Sequence, residues 1–322
     1  MREEWLNRIA LTWANKTRLR GIRQALDQYD SATEVVRLHP ELVTHEAMLF
    51  ASKELEFIEK HQIKTYFYKD ENYPYRLTHC VDAPLILYAK GNVDVNPKHV
   101  VSVVGTRMPS ERGKDWCRRF ILDLAAKVPE LTIVSGLAYG IDVIAHKAAM
   151  ESGISTIIIP AHGLDRIYPS VHRSVAIQAL DKGGILTEYT RNTEPERFNF
   201  VARNRIVAGV AQGLLVVESA ANGGSLSTVK AADDYSRTVM AVPGRIFDSR
   251  SEGTNHLIKT NVAQLVTSAE DIAEALGWEV AGAMPEKMRY EPRDVNPQEA
   301  KVLAALADNS DGLPMEVIAD KT

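Results

Sequence analysis

VVGTRMPSERG (residues 103–113) and LTIVSGLAYGID (131–142) decide the fold, because each carries an apolar run into a turn of small residues. Two β-branched runs, 100–104 and 131–134, end abruptly. One stops in Gly105-Thr106-Arg107, the other in Ser135-Gly136 and on to Gly140, and a helix-period segment opens after each. A buried strand that runs through a Gly-rich turn into a helix N-terminus is half of a βαβ unit and cradles phosphate. Glycine lets the backbone approach the ligand, and the first free N–H groups of the helix point at it. Two such turns on consecutive strands open at the same edge of a parallel sheet, so together they predict an anion site.

The same alternation continues outward from this stretch. HVVSVV, LTIV, STIIIPA, GILTEY, GLLVVES, TVMAVPG and AQLVT read as strands, with helices between them near 110–127, 141–152, 170–182, 200–211 and 225–236. Near-continuously apolar strands alternating with amphipathic helices predict a mostly parallel sheet covered on both faces. Residues 98–278 are therefore expected to form an extended Rossmann-like, doubly wound α/β domain. In front of it, residues 1–60 carry short helical segments with apolar residues three and four apart. Gly21 in LRGIR suggests a hairpin able to grip nucleic-acid backbone, against the plainer reading of helix packing. Residues 61–97 hold two strand-like runs, TYFY and LILYAKG, expected to lay connector strands on the sheet edge. Behind the domain, 279–297 is a Pro-rich, charged linker. Residues 298–322 read as a helix, a polar turn and the opening of a second helix: the start of a winged-helix module, truncated where the chain stops.

At 322 residues the chain is long for one domain. It has no apolar run long enough to span a bilayer and no signal-peptide core near its start, so a cytoplasmic protein is expected. Cys80 and Cys117 have neither metal nor redox spacing, and the nine histidines are scattered. No metal and no cofactor is expected. A net charge of −4 argues against a surface coated in basic groups, yet leaves room for a local basic cleft.

Ligands of such sheets bind at the carboxyl ends of the strands. Gathered there in order are Gly105-Thr106-Arg107, Ser135 to Gly140, Ala161-His162-Gly163, Glu188-Tyr189, Glu218-Ser219 with Asn222-Gly223-Gly224-Ser225, and Pro243-Gly244-Arg245. Arg197, Arg203 and Arg205 lie between the fourth and fifth of these strands. A crevice of small residues, backbone donors and arginines suits several phosphates in a row. On a helical wheel Arg203 falls within the apolar arc of Phe200, Ile206, Val207 and Val210, with Arg205 opposite, so Arg203 is expected to emerge over the phosphates and Arg205 is not. The nearby aromatics Tyr139, Tyr168, Tyr189, Phe198 and Phe200 offer a modest stacking term.

Gly-x-Gly-x-x-Gly is absent after the first strand, as is an acidic residue after the second, which speaks against a dinucleotide enzyme. No Gly-Lys-Ser/Thr loop is present either. Asp142 and His146, four apart, could pair as a catalytic base; alternatively Asp142 caps the helix and His146 makes a buried hydrogen bond. Glu188 and Glu218 could be hydrolytic carboxylates, or could hold Arg203 or Arg205 still. The residues favour binding over catalysis.

VVGTR, SGLAYGID, GLDRIYP, ILTEY, ARNRIVAG, VVESAANGGSLST, AVPG and SEGTN occur here in a single order. In this the chain resembles, over nearly its whole length, the DNA-processing protein A (DprA/Smf) family. The resemblance implies a sterile-alpha-motif-like N-terminal domain and an extended Rossmann domain that binds single-stranded DNA. It further implies protection of incoming single strands during natural transformation, loading of the RecA recombinase in DNA recombination, a homodimer formed through the Rossmann domain, and no known catalysis. The arginine of the family's Gly-Ser-Arg turn falls on Arg107, with Thr106 keeping a hydroxyl where serine is typical. The basic residue after the Tyr-Pro block falls on or near Arg173, within VHRS where Asn and Lys are commoner. Turns and resemblance together give an expected DNA-binding set of Gly105, Thr106, Arg107, Ser135, Gly136, Gly140, Arg173, Arg203, Gly223, Gly224 and Ser225, with no catalytic residue. The alternative is a nucleotide or nucleoside-phosphate hydrolase. NGGSLST before a helix partly resembles the Gly-Gly-x-Gly-Thr turn of lysine-decarboxylase-like phosphoribohydrolases, without the glutamate that usually follows the threonine.

Overall fold

The apolar runs read from the sequence pair into one sheet. The computed structural model describes residues 2–14, 19–279, 296 and 299–303. Four helices come first, α1 (Arg2–Ala14), α2 (Leu19–Gln28), α3 (Ala32–Leu38) and α4 (His45–Lys60), then β1 (Lys64–Phe67), a single helical turn α5 (Tyr75–Thr78) and β2 (Ile86–Gly91). The alternating part runs β3 (His99–Val104), α6 (Glu111–Lys127), β4 (Leu131–Ser135), α7 (Ile141–Glu151), β5 (Ser155–Ile158), α8 (Arg173–Ala179), β6 (Gly184–Thr187) and α9 (Arg197–Gly209). It ends with β7 (Gly213–Val216), α10 (Leu226–Asp234), β8 (Thr238–Ala241), α11 (Glu252–Lys259), β9 (Gln264–Leu265) and α12 (Ala269–Ala275).

The nine strands stand in the order β1-β2-β6-β5-β4-β3-β7-β8-β9. From β6 to β9 every neighbour is parallel, as helical crossovers require. β1 and β2 add to the β6 edge in antiparallel register, Tyr88 opposite Thr187 and Thr65 opposite Tyr88. Strand period explains why the central strands read as unbroken apolar runs. Leu214 and Val216 of β7 pack with Ile206 and Val207 of α9 on one face, while Leu215 packs with Ile121 and Leu124 of α6 on the other. This is the doubly wound α/β architecture expected.

The opening helices bury Ile9, Leu11, Leu26, Val35 and Leu55 against Phe67, Ile86 and Tyr88 of the antiparallel edge. Glu54 of α4 reaches across to Arg191 at 3.1 Å. Gly21, where a hairpin was weighed against plain helix packing, stands exposed inside α2. Local boundaries also moved: α9 starts at Arg197 rather than 200, and the strand expected at AQLVT keeps only two paired residues. Helix α12 escaped a periodicity search because it is so short; its signal was the capping box of Ser268 and Asp271.

Met1–Val280 form one compact unit and Ala281–Thr322 a second. Within the second, residues 299–303 are helical, and Asn296 caps them by accepting from Glu299 N at 2.9 Å. The linker and winged-helix expectations otherwise lie outside the described residues. Among the described residues no helix is long and apolar enough to cross a membrane.

Candidate nucleic-acid interface

The strand order reverses between β3 and β7, and the crevice of a doubly wound sheet opens at such a reversal, beyond the carboxyl ends. The turn after β3 is fixed from both sides. Thr106 N donates to Glu218 O at 2.7 Å, and Ile141 N donates to Thr106 O at 3.2 Å. Gly140, at φ +80°, presses on the Thr106 carbonyl and the Arg107 backbone so closely that no Cβ fits. The two Gly-rich turns predicted to cooperate are therefore one clasped unit.

Arg107 leaves this unit exposed and forms no ion pair among the described residues. Its guanidinium lies 5.7 Å from the Phe200 ring, which in turn packs 6.0 Å from Tyr168. On the neighbouring loop, exposed Tyr139 stands edge-on to His172 at 4.9 Å, and His172 Nδ1 donates to Leu137 O at 3.0 Å. Arg173 follows His172 directly, exposed and also without an ion pair among the described residues. Free arginines and open aromatic rings thus share one side of the crevice. That is the combination that tracks a phosphate backbone while stacking bases.

Beneath the clasp lies a buried polar cluster, and here the expectation for Arg203 is corrected. Arg203 does point to the carboxyl edge but does not emerge: it is 4% exposed, and its guanidinium donates to Ile159 O at the end of β5 and to Asn204 Oδ1 at 3.2 Å. It stops below Gly136, where a Cβ would lie 2.5 Å from Asp142 Oδ2 and 2.6 Å from Arg203 Nη1. Helix α9 packs too close to the sheet for the side chain to clear the 136–140 turn. Burial raises the Asp142 carboxyl above its ordinary range, opposed by the charge of Arg203 and the N–H of Ala138.

Asp142 does not pair with His146. The imidazole is fully buried, with Nε2 donating to Gly136 O at 2.6 Å and Nδ1 accepting from Thr156 Oγ1 at 2.7 Å. Burial pushes its pKa down to about 4, so it is neutral and holds the turn. Between about pH 6.5 and 4 the unfolded chain binds a proton here that the folded chain does not. This contribution to stability is complete above pH 6.5 and is lost as the pH falls towards 4. The melting temperature of the protein should drop across that window, and His146→Gln, which keeps a donor for Gly136 O, should flatten the drop.

The acidic residues of the edge are occupied. Both oxygens of Glu188 accept from Arg205, each at 2.6 Å, and Arg205 also lies 3.5 Å from Asp82. Arg205 therefore ties α9 to the loop before β2. Glu218, 2% exposed, accepts from Ser110 N at 2.9 Å and Ser110 Oγ at 2.5 Å, and that hydroxyl caps α6 through Gly113 N. On the β7 side Ser225 is buried and donates to Ser219 Oγ at 2.9 Å, while Gly224 is exposed at the tip. Among the described residues no cluster of His, Cys, Asp or Glu is arranged to hold a metal.

Of the expected set, Gly105, Thr106, Arg107, Ser135, Gly136 and Gly140 come together in the clasp. Arg173 stands beside it, and Gly223, Gly224 and Ser225 border the far side of the reversal. Sequence reasoning missed Arg112, Trp116 and Phe247, which flank that far side. The legible signal was RIFDSR, an apolar pair bracketed by arginines in a loop.

Comparison with known proteins adds the following. The family described as DNA recombination-mediator protein A matches residues 64–277. The DNA processing protein DprA of Streptococcus pneumoniae is 41% identical over 203 residues, which make up 63% of this chain and 71% of that protein. Protein Smf of Escherichia coli is 38% identical over 256 residues, 78% of this chain and 67% of its own length. The X-ray structure of DprA from Streptococcus pneumoniae superposes with a TM-score of 0.68 at 32% identity, covering 84% of this chain and 95% of that one. DprA from Helicobacter pylori, whose structure is described for its single-stranded DNA binding mode, gives a TM-score of 0.59 at 30% identity, covering 67% and 95%.

Proposed function

Because this chain belongs to the DNA recombination-mediator protein A family, we propose that it binds single-stranded DNA across the carboxyl edge of its sheet and loads the RecA recombinase onto it. In this role it protects incoming strands during natural transformation, acts as a homodimer through the Rossmann-like domain, and works in the cytoplasm. The observation that carries the DNA contact is Arg107: an exposed guanidinium without an ion pair among the described residues, beside the Phe200 ring, on a turn held rigid by Gly140. The description of the Helicobacter pylori relative as a binder of single strands supports the same reading. Arg173 and Gly224 extend the contact to either side of the clasp. Arg203 acts from below, holding the Gly136 turn in place.

Single strands should bind about tenfold or more tightly than blunt duplex of the same length, since the edge presents stacking rings and turn amides and, among the described residues, no exposed helix suited to a major groove. Titration of fluorescent oligonucleotides over a salt series measures this, and equal affinity for duplex would refute it. A nucleoside-phosphate hydrolase would need a free carboxylate at the edge, whereas Glu188 is held by Arg205 and Glu218 by Ser110. Incubation with nucleoside monophosphates should release no free base.

A further inference from the structure

Across the β3 turn from Arg107, outside the clasp, lies a cavity of about 200 Å³. Ser110, Glu218 and Asp248 form its polar wall, Trp116 its aromatic wall, and Arg112 and Arg245 its rim. The Arg112 guanidinium rests 5.7 Å from the Trp116 ring, and neither rim arginine has an ion pair among the described residues. Asp248 is turned to the backbone, accepting from Arg250 N at 3.0 Å. Beside this rim the loop between β8 and α11 displays Ile246 at 83% and Phe247 at 99% exposure. Phe247 and its neighbour Ile246 thus stand open to solvent side by side at the rim of a concave polar site.

We infer that this cavity takes one nucleotide of the bound single strand, its base against the Trp116 indole and its flanking phosphates on Arg112 and Arg245. Phe247 offers a stacking surface to the next base. The inference rests on DNA binding at the carboxyl edge and extends it. At about 4.8 Å per strand, β5 and β8 stand roughly 19 Å apart along the edge. A strand lying on Tyr168, Phe200 and Arg107 therefore needs only a few nucleotides to reach the cavity.

The test uses the full chain and fluorescent single strands of increasing length. Trp116→Ala should weaken binding of long oligonucleotides about tenfold, the effect of removing one stacked base, and Trp116→Phe should restore part of it. Arg245→Ala should reduce the slope of log affinity against log salt by about 0.7. Both effects should vanish for strands too short to span the edge. A single abasic site moved along the oligonucleotide should cost wild type most at one position, and Trp116→Ala nothing extra there. Thermal melting of Arg245→Ala and Phe247→Ala, both changed at exposed side chains, should match wild type. If Arg107→Ala weakens binding while Trp116→Ala, Arg245→Ala and Phe247→Ala bind long strands like wild type, the cavity is no subsite. If Arg107→Ala also binds like wild type, the carboxyl-edge reading itself falls.

Discussion

Arg203→Ala is expected to lower the melting temperature by roughly 10 °C, the equivalent of about 3 kcal/mol in a domain of this size. The guanidinium is buried among the Ile159 carbonyl, Asn204 and the Gly136 turn, with Asp142 as the charge it faces. Removing it strips a buried carboxylate of its cation and leaves the Ile159 carbonyl without this donor. Asp142 can recover part of the deficit by taking up a proton, since burial already raises its pKa. The double substitution Arg203→Met with Asp142→Asn should therefore melt above Arg203→Ala alone, because a paired removal leaves no unmatched charge. Circular dichroism melts of the three proteins check this. An unchanged melting temperature for Arg203→Ala would mean that the guanidinium lies in solvent, as the helical wheel alone suggests.

The case of Arg203 shows what the sequence holds and what it withholds. A helical wheel gives direction: Arg203 does face the strand ends, but Arg205 also reaches that edge, where Glu188 just past β6 holds it. Depth is a property of two elements at once. Whether an arginine on α9 reaches water depends on how near the helix packs and on what covers it, here the 136–140 turn and Asp142. The clasp was legible because β-branched runs ending in Gly-rich turns are local signals, and Gly140 is placed by its own backbone. The pairing of Glu188 with Arg205 was one of two alternatives and that of Glu218 with Ser110 was not anticipated, because the partners lie 17 and 108 residues away and meet through the sheet order. Trp116 carries no local signal that sets it apart on the amphipathic helix α6. Only the fold brings it beside Arg245, on a loop more than a hundred residues downstream.

Arg107→Ala should do the opposite of Arg203→Ala, costing binding and sparing stability. The side chain is exposed, carries no ion pair among the described residues and lies over the Phe200 ring, so the fold changes little without it. Its planar fork can meet a phosphate with two parallel hydrogen bonds, and a charged hydrogen-bonded interaction of that kind contributes about 1.5–3 kcal/mol. Affinity for single strands should therefore fall by one to two orders of magnitude, since about 1.4 kcal/mol corresponds to a factor of ten. One phosphate then goes without its cation, so the slope of log affinity against log salt should shrink by about 0.7. Arg107→Lys separates charge from shape. It still releases a counterion on binding, so the salt slope should stay near that of wild type. Yet a lysine offers a point charge in place of the fork and stacks less well over Phe200, so affinity should recover only in part. Phe200→Ala in the wild-type background should then weaken binding without altering the slope. If Arg107→Lys instead restored full affinity, the turn would be gripping the strand by charge alone, and the Phe200 ring would have no part in the interaction.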